Sequence, residues 1–181
     1  MCCLFGFIDY AGALSVRQKN RLIRELSIAA EARGTDAAGI AYNTSHGLQI
    51  YKRPLAAYRL HLRIPAEAHV IMGHTRMATQ GSAKRNYNNH PFFGHVKGES
   101  FALAHNGTIW NDLELRRTKH LPRTKVQTDS FIAVQLLEQQ KALDFSSLRY
   151  TAEAVDGSFS FTVLSERDDL YLIKGDNPLN I

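Results

Sequence analysis

The pattern of the chain predicts an α+β fold built of two mostly antiparallel sheets covered by helices. Three observations predict it. Strand-like segments follow one another across short polar turns, as at Asn43-Thr44-Ser45-His46-Gly47 and Ser165-Glu166-Arg167-Asp168-Asp169. Such pairs lack the crossover helix that parallel pairing needs. Other segments carry apolar residues at helical spacing. Finally, 181 residues with 44% hydrophobic content suit one domain with a sizeable core.

Cys3 to Ile8 reads as a short apolar strand, turned by Asp9-Tyr10-Ala11-Gly12. From Val16 to about Arg33 the residues Leu22, Ile23, Leu26, Ala29 and Ala30 recur at helical spacing, with Ser15 as N-cap and Gly34 as the stop. Ala37–Tyr42 and Leu48–Lys52 read as paired strands, Pro54–Leu62 as a short helix and His69–His74 as a buried strand. Thr75–Ser100, rich in Asn, Gly, His and Lys, reads as one long irregular stretch, and loops of that length are usually functional or disordered. Phe101–His105 is a further strand, closed by an Asn106-Gly107 turn. Asn111–Lys119, Thr128–Lys141 and Phe145–Ala154 read as helices, with Asp129 in the first turn of the second. Gly157–Leu164 and Leu170–Lys174 end the pattern, giving about seven strands and four helices.

No apolar run approaches the ~20 residues of a membrane helix, and the apolar start is too short for a signal peptide. A cytoplasmic location is therefore expected, and there the adjacent Cys2 and Cys3 are thiols rather than a disulfide framework. The net charge of +5 comes with basic clusters at Arg17–Arg24 and Arg116–Lys125. These read as a solvated helix face and a surface loop; with no interleaved aromatics, nucleic acid is disfavoured as a partner. The histidines and cysteines show no zinc-ligand spacing, so no metal and no cofactor is expected.

Four local signals carry chemistry when taken together. If Met1 is removed, Cys2 places a thiol nucleophile and a free α-amine on one residue. An α-amine with a reference pKa of about 7.7–8.0 is suited to act as base near neutrality. Arg76, in Gly73-His74-Thr75-Arg76-Met77-Ala78-Thr79-Gln80-Gly81, can grip a carboxylate with two parallel hydrogen bonds. Asn106 and Gly107 offer a side-chain amide and a backbone N–H to a developing oxyanion. Asp129, in Gln127-Thr128-Asp129-Ser130, can hold an ammonium. Singly, each has a plainer reading: an incidental cysteine, a surface arginine, a common turn, and an acidic residue favoured by the helix dipole. Jointly they supply what hydrolysis of the side-chain amide of a free amino acid requires.

With those motifs the sequence resembles a class II glutamine amidotransferase domain over nearly its whole length. The order is kept: Cys2, then Ala32-Arg33-Gly34-Thr35-Asp36-Ala37-Ala38-Gly39-Ile40, Gly73-His74-Thr75-Arg76, Asn89-His90-Pro91-Phe92, His105-Asn106-Gly107, Thr128-Asp129-Ser130, Asp156-Gly157-Ser158 and Gly175-Asp176-Asn177-Pro178-Leu179. The resemblance implies a four-layer α/β/β/α sandwich of the N-terminal-nucleophile hydrolase type, with residues 1–181 as one glutaminase domain and no synthase domain. It implies Cys2 as nucleophile, Asn106 and Gly107 as oxyanion hole, Arg76 and Asp129 on the glutamine α-carboxylate and α-amine, and Thr79 as a supporting polar contact. Arg33 would order the N-terminus, while His74 and His90 would be buried structural histidines. Three positions depart from the family pattern: Cys3 follows the nucleophile where glycine is usual, Met77 replaces an aromatic residue, and Gln80 replaces a histidine. Because relatives continue with more strands and then a synthase domain, the chain reads as a compact glutaminase subunit or as a fragment lacking its last sheet strands.

The function implied is hydrolysis of glutamine to glutamate and ammonia, with the ammonia passed to a partner synthase. Two alternatives stand beside it: a non-catalytic glutamine-sensing or regulatory module, and an N-terminal-nucleophile amidohydrolase for another amide.

Overall fold

The structure, a computed structural model, describes residues 2–181, so the expected removal of Met1 lies outside the described residues. Eight strands form two four-stranded antiparallel sheets among them. The first sheet holds β1 (Cys3–Ile8), β2 (Ala37–Thr44), β3 (Gly47–Arg53) and β4 (Val70–Arg76) in the order β1-β4-β2-β3. The second runs β5-β6-β7-β8, from Phe92–Val96, Glu99–Ile109, Gly157–Ser165 and Leu170–Lys174. Helix α1 (Val16–Ala30) packs on β1 and β4. Helices α2 (Asp112–Thr118), α3 (Phe131–Gln140) and α4 (Phe145–Ala154) belong to the other side, with α3 against β5. This is the expected layering of helix, sheet, sheet and helix.

Strand alternation explains the layers. Successive side chains point to opposite faces. In β4, Ile71 packs with Ile23 of α1, whereas Val70 and Met72 meet Ala102, Ala104 and Leu164 of the second sheet. In β6, Phe101 and Leu103 face the helices with Ile132, Leu136 and Leu137, whereas Ala102 and Ala104 face the first sheet. The seam between the sheets is therefore rich in alanine, and the helix-facing sides carry the bulk.

Helix α1 is defined at its start by a capping box, in which Ser15 and Gln18 satisfy each other's backbone N–H. It is anchored from within. Lys19, only 1% exposed, pairs with Asp9 at 3.3 Å and donates to the carbonyls of Ala66 and Ala68. The basic cluster at Arg17–Arg24 is thus not wholly a solvated face.

Four local expectations are corrected. Asn106-Gly107 is no turn: both residues lie inside β6, paired with Ser160 and Phe159. The stretch after β4 contains a strand, β5, joined to β6 by a tight turn at Gly98. Pro54–Leu62 forms only one 3-10 turn, Ala57–Arg59. Asp129 precedes α3 instead of lying in its first turn, because the helix begins at Phe131.

Candidate active site

The site forms where β1 begins and β4 ends. Antiparallel pairing sets Cys3 opposite Thr75, so Cys2 arrives beside Arg76 and the loop that follows it. Its Sγ lies 3.7 Å from the Met77 carbonyl oxygen, and Arg33 Nε donates to the Cys2 carbonyl at 3.0 Å. Burial pushes the Cys2 thiol above its ordinary value, against the pull of the Met77 contact and the Arg76 charge. Such a thiol stays protonated near neutrality and needs a base to become a nucleophile. Cys3, the other free thiol, is also raised by burial, with Arg33 opposing.

Arg76 is 3% exposed and its guanidinium is occupied. Nη1 donates to Asn89 Oδ1 at 2.7 Å, and Nη2 donates to the carbonyls of Gln80 and Gly81 at 2.6 and 2.9 Å. A carboxylate cannot take both Nη groups while these bonds stand, so the two-pronged grip expected of Arg76 is not open in this conformation. The loop is held elsewhere too: Ala78 N–H donates to Asp36 Oδ2 at 2.8 Å, and Asp129 N–H donates to Gln80 Oε1 at 3.2 Å. Gly34 is required behind it, since a Cβ there would meet the Arg76 and Met77 backbone at 2.4 to 2.5 Å.

The second sheet brings the remaining groups. Asp129 Oδ2 accepts the Ile109 N–H at 2.7 Å, and Ser130 Oγ approaches Asp129 Oδ1 at 3.4 Å. In an antiparallel ladder, successive residues direct their backbone groups to alternate sides. The Phe159 carbonyl accepts the Gly175 N–H at 2.9 Å and so faces β8. Its register partner Gly107 must therefore aim its N–H away from β7, to the side on which Ile109 meets Asp129. Pairing with β5 stops at Leu103, so no strand among the described residues covers that edge of β6 at Gly107. At φ 145° with the Ser158 carbonyl 1.9 Å from a notional Cβ, position 107 admits only glycine.

His74 ties the two sheets together, its Nε2 lying 2.9 Å from the His105 carbonyl oxygen. His105 Nδ1 is 2.8 Å from Ser130 Oγ, and the His90 ring lies tilted by 32° against His74 with centroids 4.1 Å apart. Burial lowers His74 to about 3 and His105 to about 4, and holds His90 well below its ordinary value. These imidazoles are neutral near pH 7, which suits internal struts better than proton carriers.

Arg76 and Asp129 both act on the Cys2 thiol, the guanidinium lowering its pKa and the carboxylate raising it, and Gly107 shares the Asp129 edge of β6. Arg33 touches Cys2 directly, whereas Thr79 is exposed on the loop, lining a depression with Asp36, Pro54 and Lys84. Sequence reasoning missed Asp36, Asn89 and Asn177, which hold the loop or β6. Their place within the ordered motifs was the available signal. No group of three or more His, Cys, Asp or Glu side chains among the described residues could hold a metal.

Comparison with known proteins places this geometry. The family model for class-II glutamine amidotransferases matches residues 28–155. The glutamine–fructose-6-phosphate aminotransferase (isomerizing) of Bacillus thuringiensis subsp. konkukian is 34% identical over 99% of the chain, and that of Sulfurisphaera tokodaii 32% identical over 100%. The chain spans only about 30% of the length of these relatives. The solved glutamine phosphoribosylpyrophosphate amidotransferase from B. subtilis has a TM-score of 0.64 over 91% of this chain and 35% of its own, at 19% identity, a likeness of fold. The paired antiparallel sheets, the ordered motifs and the family match lead to one conclusion: the chain belongs to the class-II glutamine amidotransferases.

Proposed function

We propose that residues 1–181 form one glutaminase domain that hydrolyses the side-chain amide of glutamine and supplies the ammonia to a synthase domain or subunit. The observation that supports this reading is that Arg76 and Asp129 both act electrostatically on the Cys2 thiol, while Asp129 binds Ile109 N–H on the side of β6 to which Gly107 also aims its N–H. With Met1 removed, the Cys2 α-amine takes the thiol proton and Sγ attacks the amide carbon. Negative charge gathers on the amide oxygen, received by Gly107 N–H and the Asn106 side-chain amide. Collapse of this adduct breaks the C–N bond, the ammonium-form base returns its proton to the leaving nitrogen, and ammonia departs. Water then attacks the thioester, releasing glutamate and restoring the thiol.

Substrate binding divides by charge. Asp129 holds the α-ammonium and Arg76 draws the α-carboxylate. Because the loop carbonyls of Gln80 and Gly81 already occupy Nη2, carboxylate binding is coupled to movement of that loop. Thr79 supplies a supporting polar contact once the loop has moved, and Arg33 keeps the N-terminus in place. A cytoplasmic location accompanies this reading, and no helix among the described residues is long and apolar enough to cross a membrane.

The test is glutamate release from L-glutamine by the purified chain, with its N-terminal residue read by intact mass. Cys2→Ala is expected to abolish release while the folded spectrum and thermal midpoint stay unchanged. Release that persists in Cys2→Ala refutes the assignment. Glutamine binding without any release, in a chain that has lost Met1, would favour the sensing module instead.

A further inference from the structure

Asn106 C=O and Gly107 N–H belong to one peptide unit. A trans peptide is planar, so the two groups point in opposite directions and cannot be aimed independently. Whatever holds the carbonyl aims the N–H. The ladder already turns this carbonyl toward Ser160 of β7, and a further hold comes from outside the ladder, for Asn177 Nδ2, in the segment after β8, donates to Asn106 O at 2.7 Å. Asn177 is itself tied down, its carbonyl accepting Ser160 Oγ at 2.9 Å. Ser160 is the ladder partner of Asn106, and Gly175 N–H binds the carbonyl of Phe159, the ladder partner of Gly107. Residues 175–177 thus fasten both rungs of the β6–β7 ladder at the site. The fit is close, since a Cβ at Gly107 would stand 2.8 Å from Asn177 Nδ2.

We propose that Asn177 is a positioning residue for the oxyanion site, holding the Asn106 carbonyl so that the 106–107 peptide directs its N–H to the charge that develops on the substrate oxygen. The inference rests on the glutaminase reading above. Donation to the carbonyl also polarises the peptide and makes its N–H a stronger donor. An interaction of this kind is felt when the oxyanion forms and not when glutamine first binds, so its loss belongs in kcat and not in KM.

The test uses the full chain with Asn177→Ala and Asn177→Asp, the second isosteric but lacking a side-chain N–H. Losing an oxyanion donor outright costs about 100- to 1000-fold, and misaiming one should cost less, so kcat is expected to fall about tenfold with KM for L-glutamine within about twofold. Glutamate γ-semialdehyde, whose adduct with the thiol carries a tetrahedral oxygen, is expected to bind about tenfold more weakly while L-glutamate binds unchanged. A merely structural role would lower the thermal midpoint and the fraction of titratable thiol but leave kcat per active site alone. If Asn177→Ala folds poorly, Asn177→Asp decides the matter. A kcat per active site within twofold of the unmodified chain in the folded variant overturns the inference. So does a rise in KM alone, or an equal loss of aldehyde and glutamate binding. Failure of the underlying reading looks different: the unmodified chain would neither release glutamate nor bind the aldehyde, and this inference would fall with it.

Discussion

Three hydrogen bonds from one guanidinium hold the loop after β4, and they show what a single residue contributes. Arg76 brings a charge and a planar fork, and only the fork reaches Asn89, Gln80 and Gly81 together. Lysine keeps the charge and loses the fork. With charge-assisted bonds worth about 1.5–3 kcal/mol each, Arg76→Lys is expected to raise KM for glutamine at least about tenfold. Glutamate-release kinetics check this, and an unchanged KM would mean that the charge alone suffices. The pH profile also belongs at this scale. Because burial raises the Cys2 thiol, activity must follow the base and not the thiol. Once Met1 is removed, kcat/KM is expected to rise with pH and level off near the α-amine value of about 8. A profile still rising above pH 9 would instead point to titration of the thiol itself. Cys2, Arg76, Asn106, Gly107 and Asp129 were legible as residue types because each chemical need has few candidate side chains. That Arg76 is engaged by its own loop was not legible, since no spacing reveals where a loop carbonyl turns.

Elements were read well where local physics decides them. Helix α1 has helical spacing and a capping box, and its last turn tightens to a 3-10 turn over Glu31–Arg33 before Gly34 ends it, so sequence and structure agree closely on it. Ser15→Ala removes the cap and is expected to cost about 1 kcal/mol in urea unfolding, with the glutaminase constants unchanged. A cost near zero would show that burial of Lys19 and Ile23 alone sets the start of the helix. Elements were misread where a partner strand decides. Asn-Gly favours a turn locally, yet at Asn106-Gly107 the pairing with Ser160 and Phe159 keeps the chain extended. Strand β5 was hidden because it is five residues long, contains Gly94 and follows Pro91, and its one long partner is β6. The segment Pro54–Leu62 spends Leu55, Ala57, Leu60 and Leu62 on packing around Ala38 instead of on helical turns.

Across the whole molecule, His74, His90 and His105 form a buried cluster, with His74 on the inner face of the first sheet and His105 on the helix side of the second, and both ring nitrogens of His90 lack a hydrogen-bond partner among the described residues. Their native values, about 3 for His74, about 4 for His105 and well below 6.5 for His90, lie under the unfolded value of about 6.5. Below pH 6.5 the unfolded chain therefore takes up protons that the native state refuses. Stability is complete above that pH and is lost as the pH falls through 6.5 toward 4. Urea titrations between pH 4 and 7 are expected to show this slope, and His90→Leu is expected to reduce it. An unchanged slope in that variant would place the acid sensitivity elsewhere.

The sequence alone determined the family, the order of its motifs, the helix-and-strand inventory in outline and the chemical kind of each proposed site residue. These follow from side-chain chemistry and from periodicity, both of which are local. Only the tertiary structure decided that Gly107 faces the uncovered edge of β6, that Arg76 is held by its loop and that Asn177 reaches Asn106. Each of those depends on which strands lie side by side, and strand pairing joins residues far apart in the chain through backbone groups that every residue shares.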